Sequence, residues 1–395
     1  MSELTTASLL LDGESGASLL RTASEHAGAE LVASSLRSIH TRGGRSLSHV
    51  HEATLRTAVG TRDVLLVAHV DTRGYPQGAF TLSADGLVVA VWRFPNDPYL
   101  PGLPSVIDIS RVRELLDRLG GPQGSLQLRT RAYRPSRRAV VEVTVDGDRA
   151  KGQILYLKVL AGDRARELGD LHQQLTGHVP VPRVIGVATA QGILAMEALG
   201  GATLRDALLG GGPLPDPGAF VALSQRFAGS GLVSRRDPRA FADVSRHIEL
   251  LIRLAPDRET AIRRVADGSG AVTGELVPVH GDLHDGQILL HDDTITGLLD
   301  VDGSGDGFLA QDAGNLVAHV AVLAELWPQF TDRFEGYAAA IADAYRPSVG
   351  REALAAATAG AWLGLATGPH RAQDANWPET TRSRIDRADR ELAAS

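Results

Sequence analysis

Residues 280–287 read HGDLHDGQ and residues 298–303 read LLDVDG, and these two stretches decide the fold and the chemistry of the chain. Phosphoryl transfer requires a carboxylate that orients or deprotonates the attacking hydroxyl, oxygen ligands for Mg²⁺, and a cation on the phosphates that are not transferred. Asp282 and Gln287, five residues apart, can supply the carboxylate and one oxygen ligand. Asp300, at the end of the next short strand, can supply another ligand, and oxygen ligands suit magnesium. The pattern therefore favours phosphoryl transfer.

The segment before this motif has the element order β-β-β-α-β-β, judged from apolar runs separated by turn residues. From residue 203 onward, apolar residues recur at three- and four-residue spacing, which predicts helices. This order is typical of the small and large lobes of a protein-kinase-like fold. The predicted small-lobe elements are strands at 126–132, 139–145 and 152–160, a helix at 163–175, and strands at 184–187 and 193–196.

Over roughly residues 125–370 the chain resembles the aminoglycoside phosphotransferase (choline-kinase-like) superfamily, whose loop reads His-Gly-Asp-Leu-His followed by Asn. Gln287 stands at the Asn position, and glutamine there is also seen in the maltokinase and bacterial glucosamine-kinase branch. The resemblance implies an α+β fold of the bilobal protein-kinase-like type, with a β-rich small lobe (residues 125–199) and a mostly helical large lobe (residues 200–395). Residues 1–124 are then an additional α+β domain, which resembles in position the cap of maltokinase-like enzymes.

The resemblance also implies roles for individual residues. Asp282 is the catalytic base or the group that orients the acceptor hydroxyl, and Gln287 and Asp300 hold Mg²⁺. Lys158 contacts the α- and β-phosphates of ATP or GTP, and Glu167 pairs with this lysine. The remaining nucleotide contacts are the backbone of Glu197, Ala198 and Leu199 at the adenine edge, and Ser136, Arg137 and Arg138 over the phosphates.

Several polar residues near these motifs have two readings each. His280 is expected to be a structural hydrogen-bonding residue of the loop, and the alternative is a proton shuttle. His284 and Asp285 either face the acceptor or orient the loop, and Asp302 is either a further metal or acceptor contact or a turn residue. In the C-terminal part, Arg371 and Trp377 lie in a segment predicted to break helices, where they either line the acceptor pocket or pack.

Composition excludes several classes of protein. The absence of cysteine excludes disulfides, cysteine-ligated zinc, iron–sulfur clusters and a thiol nucleophile. With 40 basic and 47 acidic residues, the net charge of −7 argues against nucleic acid or an anionic membrane as a partner. Only Lys151 and Lys158 are lysines, so a lysine at a phosphate-binding position stands out. Because no secretory signal or long apolar stretch is present, we expect a cytoplasmic protein.

The sequence alone does not identify the acceptor. A hydroxyl of a small molecule is expected, on a sugar, an amino sugar or an aminoglycoside, and the alternative is a Ser or Thr hydroxyl of a peptide. Two other classes compete with the kinase: a metal-dependent hydrolase using His280, Asp282 and His284 as a His-x-Asp-x-His site, and a non-catalytic nucleotide-binding module. The sequence does not determine the oligomeric state.

Overall fold

The computed structural model describes residues 7–8, 10–11, 14–42, 45–147, 152–232, 245–270 and 272–394. The described residues form two compact units, each discontinuous in sequence. The first unit contains the chain up to Gly169, together with Val184–Glu197 and His370–Ala375. The second unit contains Asp170–Arg183, Ala198–Pro369 and the described residues from Asn376 onward.

The first unit begins with a helix and a five-stranded antiparallel sheet, in the order β1-β2-β3-β5-β4. Apolar residues on one face of this sheet, including Leu66 and Val89, pack against Leu20 of the helix. The elements are α1 (Glu14–His26), β1 (Glu30–Arg42), β2 (Ser46–Thr57), β3 (Gly60–Asp71), β4 (Thr81–Ala84) and β5 (Leu87–Arg93).

A second five-stranded antiparallel sheet completes the first unit, in the order β6-β7-β8-β10-β9. In its second strand every other residue is buried, as expected of a strand with one face on a core. Val112 and Leu116 share that core with Val141 and Leu157. The elements are α2 (Leu103–Val106), α3 (Ile109–Leu119), β6 (Ser125–Arg134), β7 (Arg138–Asp146), β8 (Gln153–Leu160), α4 (Arg164–Leu175, continuing into the second unit), β9 (Val184–Ala188) and β10 (Ile193–Glu197).

The second unit is mostly helical, with two small sheets that carry the motif loops. The strands are β11 (Ala202–Thr203), β12 (Leu276–Val279), β13 (Ile288–His291), β14 (Thr294–Leu298) and β15 (Gly305–Phe308), paired as β11-β13-β14 and β12-β15. The helices are α5 (Leu204–Gly210), α6 (Gly218–Ala228), α7 (Ser245–Leu254), α8 (Glu259–Gly270), α9 (Leu309–Ala321), α10 (Leu323–Leu326), α11 (Thr331–Val349), α12 (Arg351–Leu365), α13 (Gly368–Ala372) and α14 (Trp377–Ala393).

Helix α14 is a difference from the sequence analysis, which placed Trp377 and Pro378 in a helix-breaking segment. Proline in the first turn of a helix loses no hydrogen bond, because the first four backbone N–H groups have no partner within the helix. Arginine–carboxylate pairs fix this helix to the rest of the second unit. Arg258 binds Asp386 at 2.7 Å, and the nearly buried Arg384 binds Glu325 at 2.8 Å.

Close packing of α9 against α12 requires a glycine. A Cβ atom at Gly314 would lie 2.5 Å from the backbone nitrogen of Thr358. The contact therefore fixes the position of α9, which carries several polar residues of the candidate site. Among the helices of the described residues, none is both long enough and apolar enough to cross a membrane.

The first sheet contains buried histidines that burial keeps neutral. His49 and His69 are fully buried, and the Nδ1 atom of His69 lies 2.7 Å from the hydroxyl of Ser48. Burial, followed by the charges of His51, His370 and His40, lowers the pKa of His49 to about 3. Burial lowers the pKa of His69 to about 4, with Asp71 opposing the shift.

We predict that the first unit loses stability on acidification. Between about pH 6.5 and pH 4 the unfolded chain binds protons that the folded His49 and His69 exclude, so unfolding becomes more favourable as pH falls. The melting temperature should decrease between pH 7.5 and pH 5. His69→Asn, whose amide can replace the Nδ1 contact without titrating, should flatten this dependence, whereas His291→Asn at an exposed position should not. Equal slopes in both variants would contradict the prediction.

Candidate functional site

A buried carboxylate on α9 fixes the backbone of the motif loop. Asp312 accepts hydrogen bonds from the backbone N–H groups of His280 at 2.7 Å and Gly281 at 2.8 Å. Burial raises the pKa of Asp312, and the electrostatic interaction with His280 and the two N–H donors oppose this shift. Gly281 has φ +81°, a backbone conformation that side chains with a Cβ rarely adopt. The loop therefore has one defined path out of β12.

The ring of His280 joins the loop to the strand that precedes Asp300. Its Nδ1 atom accepts the backbone N–H of Asp282 at 3.3 Å, so the proton lies on Nε2, which donates to the carbonyl of Leu299 at 2.8 Å. Both ring nitrogens are thus engaged. This arrangement fits the structural role expected for His280, and it leaves no nitrogen of this ring to bind a metal, as the hydrolase alternative would require.

Asp282 itself is exposed, whereas its neighbours are fixed. Leu283 is buried, and its carbonyl accepts a hydrogen bond from the side-chain amide of Asn315 at 3.0 Å. The structure therefore presents the solvent-accessible carboxylate of Asp282 on a backbone that is hydrogen-bonded on both sides of it. This is the geometry that a base or an orienting group for an incoming hydroxyl requires.

The side chain of Asp285 points into the protein and not toward solvent. It is fully buried and receives two hydrogen bonds from Arg205, at 2.6 and 3.3 Å. The backbone N–H of Arg205 also donates to the carbonyl of Asp285 at 3.2 Å. The hydrogen bond with Asp285 raises the pKa of Arg205. Of the two readings of Asp285, the structure fits the one in which it orients the loop.

His284 stacks on His319, with ring centroids 4.7 Å apart. Burial lowers the pKa of both histidines and so favours their neutral forms. Each ring has a nitrogen near the carboxylate of Asp285, at 3.8 Å for His284 and 3.9 Å for His319. Arg205 already balances the charge of that carboxylate. The three side chains place potential ligand atoms within 4.8 Å of one another. However, Nδ1 of His284 already accepts the N–H of Gly286 at 3.0 Å. The cluster therefore orients the loop and is a poor metal site.

Gln287 and Asp300 provide the oxygen atoms suited to a divalent cation. The Oε1 atom of Gln287 is shielded from solvent and accepts no hydrogen bond from any residue that the structure describes. A buried acceptor without a donor is unfavourable, and a cation would satisfy it. The backbone links the two residues, because Leu299 N–H donates to the carbonyl of Gln287 at 2.8 Å. Asp300 has φ +55°, a conformation that aspartate tolerates. Asp302 follows in a turn and is half-buried.

The residues of the first unit that are predicted to bind nucleotide lie on strand β8, on helix α4 and at the tip of the β6–β7 hairpin. Lys158 is buried in β8, opposite Val140 of β7 and Leu194 of β10. Glu167 is exposed and forms no salt bridge with any described residue, so its pairing with Lys158 stays a prediction. Ser136 is buried at the tip of the β6–β7 hairpin, flanked by the exposed Arg137 and the half-buried Arg138.

The remaining predicted residues lie near the points in the sequence at which the chain passes from one unit to the other. Glu197 ends β10, and the half-buried Ala198 and Leu199 follow it. Arg371 belongs to the first unit, where its charge lowers the pKa of His40 after the effect of burial, whereas Trp377 begins α14 of the second unit. A joint role of Arg371 and Trp377 in an acceptor pocket stays a prediction.

Sequence reasoning missed two residues of the loop assembly, Arg205 and His319. A signal for His319 was present, because residues 312, 315 and 319 recur at helical spacing as the polar face of an otherwise apolar helix. Arg205 carried no such signal. It reaches Asp285 because β11 pairs with β13 and thereby brings the start of α5 to the loop.

Comparison with known proteins agrees with this architecture. The model of the phosphotransferase enzyme family (APH) matches residues 159–357. A thermostable mutant of aminoglycoside phosphotransferase APH(4)-Ia, solved in a ternary complex with AMP-PNP and hygromycin B, has a TM-score of 0.51 at 14% identity, covering 72% of this chain and 99% of that chain. The apo form of a thermostable mutant has a TM-score of 0.50 at 14% identity, covering 71% and 99%. No curated protein matches significantly. The predicted α+β, protein-kinase-like fold is thereby confirmed.

We predict that Asp312→Asn destabilises the protein by about 1–3 kcal/mol, because an amide accepts through one oxygen only and leaves one buried N–H of the loop without an acceptor. Denaturant unfolding followed by tryptophan fluorescence measures the change. Asp306→Asn on β15 is the matched control, since this half-buried carboxylate has no hydrogen bond to a described residue. If both variants unfold at the same denaturant concentration, Asp312 does not anchor the loop.

Proposed function

The chain belongs to the phosphotransferase enzyme family and is a small-molecule kinase; on this premise we propose that it transfers the γ-phosphoryl group of ATP or GTP to a hydroxyl of a sugar, an amino sugar or an aminoglycoside. The observation that carries this proposal is the exposed carboxylate of Asp282, held on a loop whose flanking backbone is fixed by Asp312, His280 and Asn315.

Asp282 would accept a hydrogen bond from the acceptor hydroxyl and aim its oxygen at the γ-phosphorus. As the new P–O bond forms and the bond to the β-phosphate oxygen breaks, the hydroxyl proton passes to the Asp282 carboxylate. A fixed loop favours this step, because a carboxylate that does not have to be reoriented adds no entropic cost at the moment of transfer.

Gln287 and Asp300 would hold a magnesium ion, and the shielded Oε1 atom of Gln287 supports that assignment. When bound, the ion neutralises charge on the phosphates during transfer. The protein's own contribution is to hold the ligand oxygen atoms of Gln287 and Asp300 in place. The hydrogen bond from His280 to the Leu299 carbonyl holds the strand before Asp300. The backbone hydrogen bond from Leu299 to Gln287 holds the loop.

Lys158 would bind the phosphates that are not transferred. It is the one lysine among the described residues, and a compact ammonium on a buried strand offers three donors to a phosphate oxygen. Ser136, Arg137 and Arg138 would lie over the phosphates, and the backbone from Glu197 to Leu199 would meet the base.

Two observations bear on the acceptor. Only a short strand, β15, lies between the turn at Asp302 and helix α9, so this part of the chain has no extended segment on which a peptide could lie. This argues against a peptide acceptor. Gln287 in place of the more common asparagine favours sugars, through the resemblance to the maltokinase and glucosamine-kinase branch.

The proposal is tested by nucleotide-dependent turnover. We expect ADP or GDP release that depends on magnesium and on one member of a panel of sugars, amino sugars and aminoglycosides. Asp282→Asn should lower kcat by about 10²–10⁴-fold, because it removes the proton acceptor, and should leave nucleotide binding unchanged. Asp292→Asn is the control, since this exposed turn residue has φ +54°, which asparagine also adopts. Near-normal turnover in Asp282→Asn would reject the assignment of the base.

We further predict that Lys158→Ala raises KM for the nucleotide about tenfold or more while KM for the acceptor changes little, because a charge-assisted contact to phosphate is lost. Lys158→Arg should not restore the wild-type value, since the planar guanidinium does not fit a site shaped for an ammonium. Arg129→Ala, at an exposed position on β6, serves as the control. An unchanged KM for the nucleotide in Lys158→Ala would exclude the phosphate contact.

A further inference from the structure

The first unit concentrates arginines at one place although the chain as a whole is acidic, with 47 acidic and 40 basic residues. These arginines come from the end of β1 and the turn after it, from the residues after β3, from the β6–β7 hairpin and from the start of α4. We name this set the arginine cluster: Arg42, Arg45, Arg73, Arg134, Arg137 and Arg164.

Sheet register brings the first three members together. Arg42 of β1 pairs with Ser46 of β2, and Ser46 pairs with Asp71 of β3. The backbone N–H of Thr72 donates to the carbonyl of Arg45 at 3.0 Å, which holds the β1–β2 turn beside the chain that leaves β3. Arg42, Arg45 and Arg73 therefore lie at the same end of the first sheet.

The β6–β7 hairpin is packed against that same sheet. Tyr133, next to the hairpin turn, contacts the hydrophobic group that contains Val50 and Trp92, and its hydroxyl accepts a hydrogen bond from the Trp92 indole N–H at 2.8 Å. Asp97 is buried and accepts the hydroxyl of Tyr133 at 2.9 Å and the backbone N–H of Ser136 at 2.8 Å. The hairpin arginines are thus presented from a turn that the N-terminal residues hold in place.

Among the described residues, Asp71 is the carboxylate that acts on Arg42, and it opposes the larger effects of burial, Arg45, Arg164 and Arg73, which lower the pKa of Arg42. Arg42, Arg45, Arg137 and Arg164 form no salt bridge with any residue that the structure describes, and Arg73 has one long contact with Asp71, at 3.6 Å. Although its side chain reaches solvent, partial burial of Arg137, followed by the charges of Arg134, Arg42, Arg138 and Arg164, lowers its pKa to about 10. These charges lower the pKa of Arg137 because arginines from the sheet, the hairpin and the helix lie close enough to repel one another.

We infer that the arginine cluster binds a phosphate-bearing polyanion and that the N-terminal sheet contributes Arg42 and Arg73 directly to this site. A chain of two or three phosphates offers several oxyanions at the spacing of neighbouring guanidinium groups, which bind such groups through paired N–H donors. The inference extends the proposed function, because it adds residues outside the family match at 159–357 to phosphate binding. The source of the phosphates is either the nucleotide itself or a second phosphorylated ligand.

The test uses inorganic tripolyphosphate and the full chain, without turnover. A ligand that binds the folded state raises its melting temperature. We expect wild type to be stabilised by millimolar tripolyphosphate, and Arg42→Gln to bind it about tenfold more weakly, since one charge-assisted contact is lost. Arg42→Gln without ligand should melt at or above the wild-type temperature, because it relieves repulsion. This second readout separates loss of the site from loss of the fold.

Arg37→Gln is the matched control. Arg37 lies on the same strand, is 55% exposed, and is paired with Glu52 at 3.3 Å. It should keep the wild-type response to tripolyphosphate. Equal stabilisation of wild type and Arg42→Gln, or no stabilisation of wild type, would overturn the inference.

Competition with ATP identifies the source of the phosphates. If saturating ATP abolishes the effect of tripolyphosphate, the cluster binds the nucleotide's own triphosphate; if the two effects add, it binds a second phosphorylated ligand, and both results support the site. The inference and the proposed function fail separately. If tripolyphosphate binding depends on Arg42 but the protein has no kinase turnover, the proposed function is wrong and the phosphate site stands. If the protein has turnover but Arg42→Gln binds tripolyphosphate as well as wild type does, the proposed function stands and the phosphate site is wrong.

Discussion

The pair of hydrogen bonds that Asp312 accepts from the backbone of His280 and Gly281 is the constraint on which the candidate site depends. A buried carboxylate is unfavourable unless donors surround it, and here the donors are the N–H groups of the loop that must be ordered. The same two hydrogen bonds therefore stabilise the charge of Asp312 and order the loop at His280 and Gly281. From this anchor, the His280 ring extends the order to Leu299 and hence to the strand that carries Asp300. Gly314 allows the anchoring helix to approach its neighbour closely enough to remain fixed.

Much of the fold could be predicted from the sequence because its signals are local. The alternation of apolar residues in β7 and the helical spacing between residues 109 and 119 correspond directly to the observed elements. The start of a helix at a proline is harder to predict. Helix α14 begins at Trp377 with Pro378 in its first turn, and this proline resembles a break although the backbone N–H that it lacks would have no partner within the helix.

The motif residues of the candidate site were predictable, and so was the structural role of His280, whereas some partners that hold the loop were not. Asp282, Gln287 and Asp300 follow from chemistry that demands oxygen atoms at a given spacing. Arg205 does not, because its contact with Asp285 joins residues 80 positions apart through the pairing of β11 with β13. Asp97 is similar: its role at the tip of the β6–β7 hairpin depends on a partner 39 residues away. Such partners are set by topology, and a single sequence does not encode the topology locally.

The first unit is built from chain segments far apart in the sequence, and its last segment, His370–Ala375, follows almost the whole second unit. That segment is part of the electrostatic environment of the first sheet, since the charge of His370 acts on His49 and that of Arg371 on His40. During synthesis on the ribosome, the first unit therefore lacks this segment until the second unit has been translated as far as Pro369. A premature stop codon before residue 370 would remove part of the first unit, although most of that unit precedes the second in the chain.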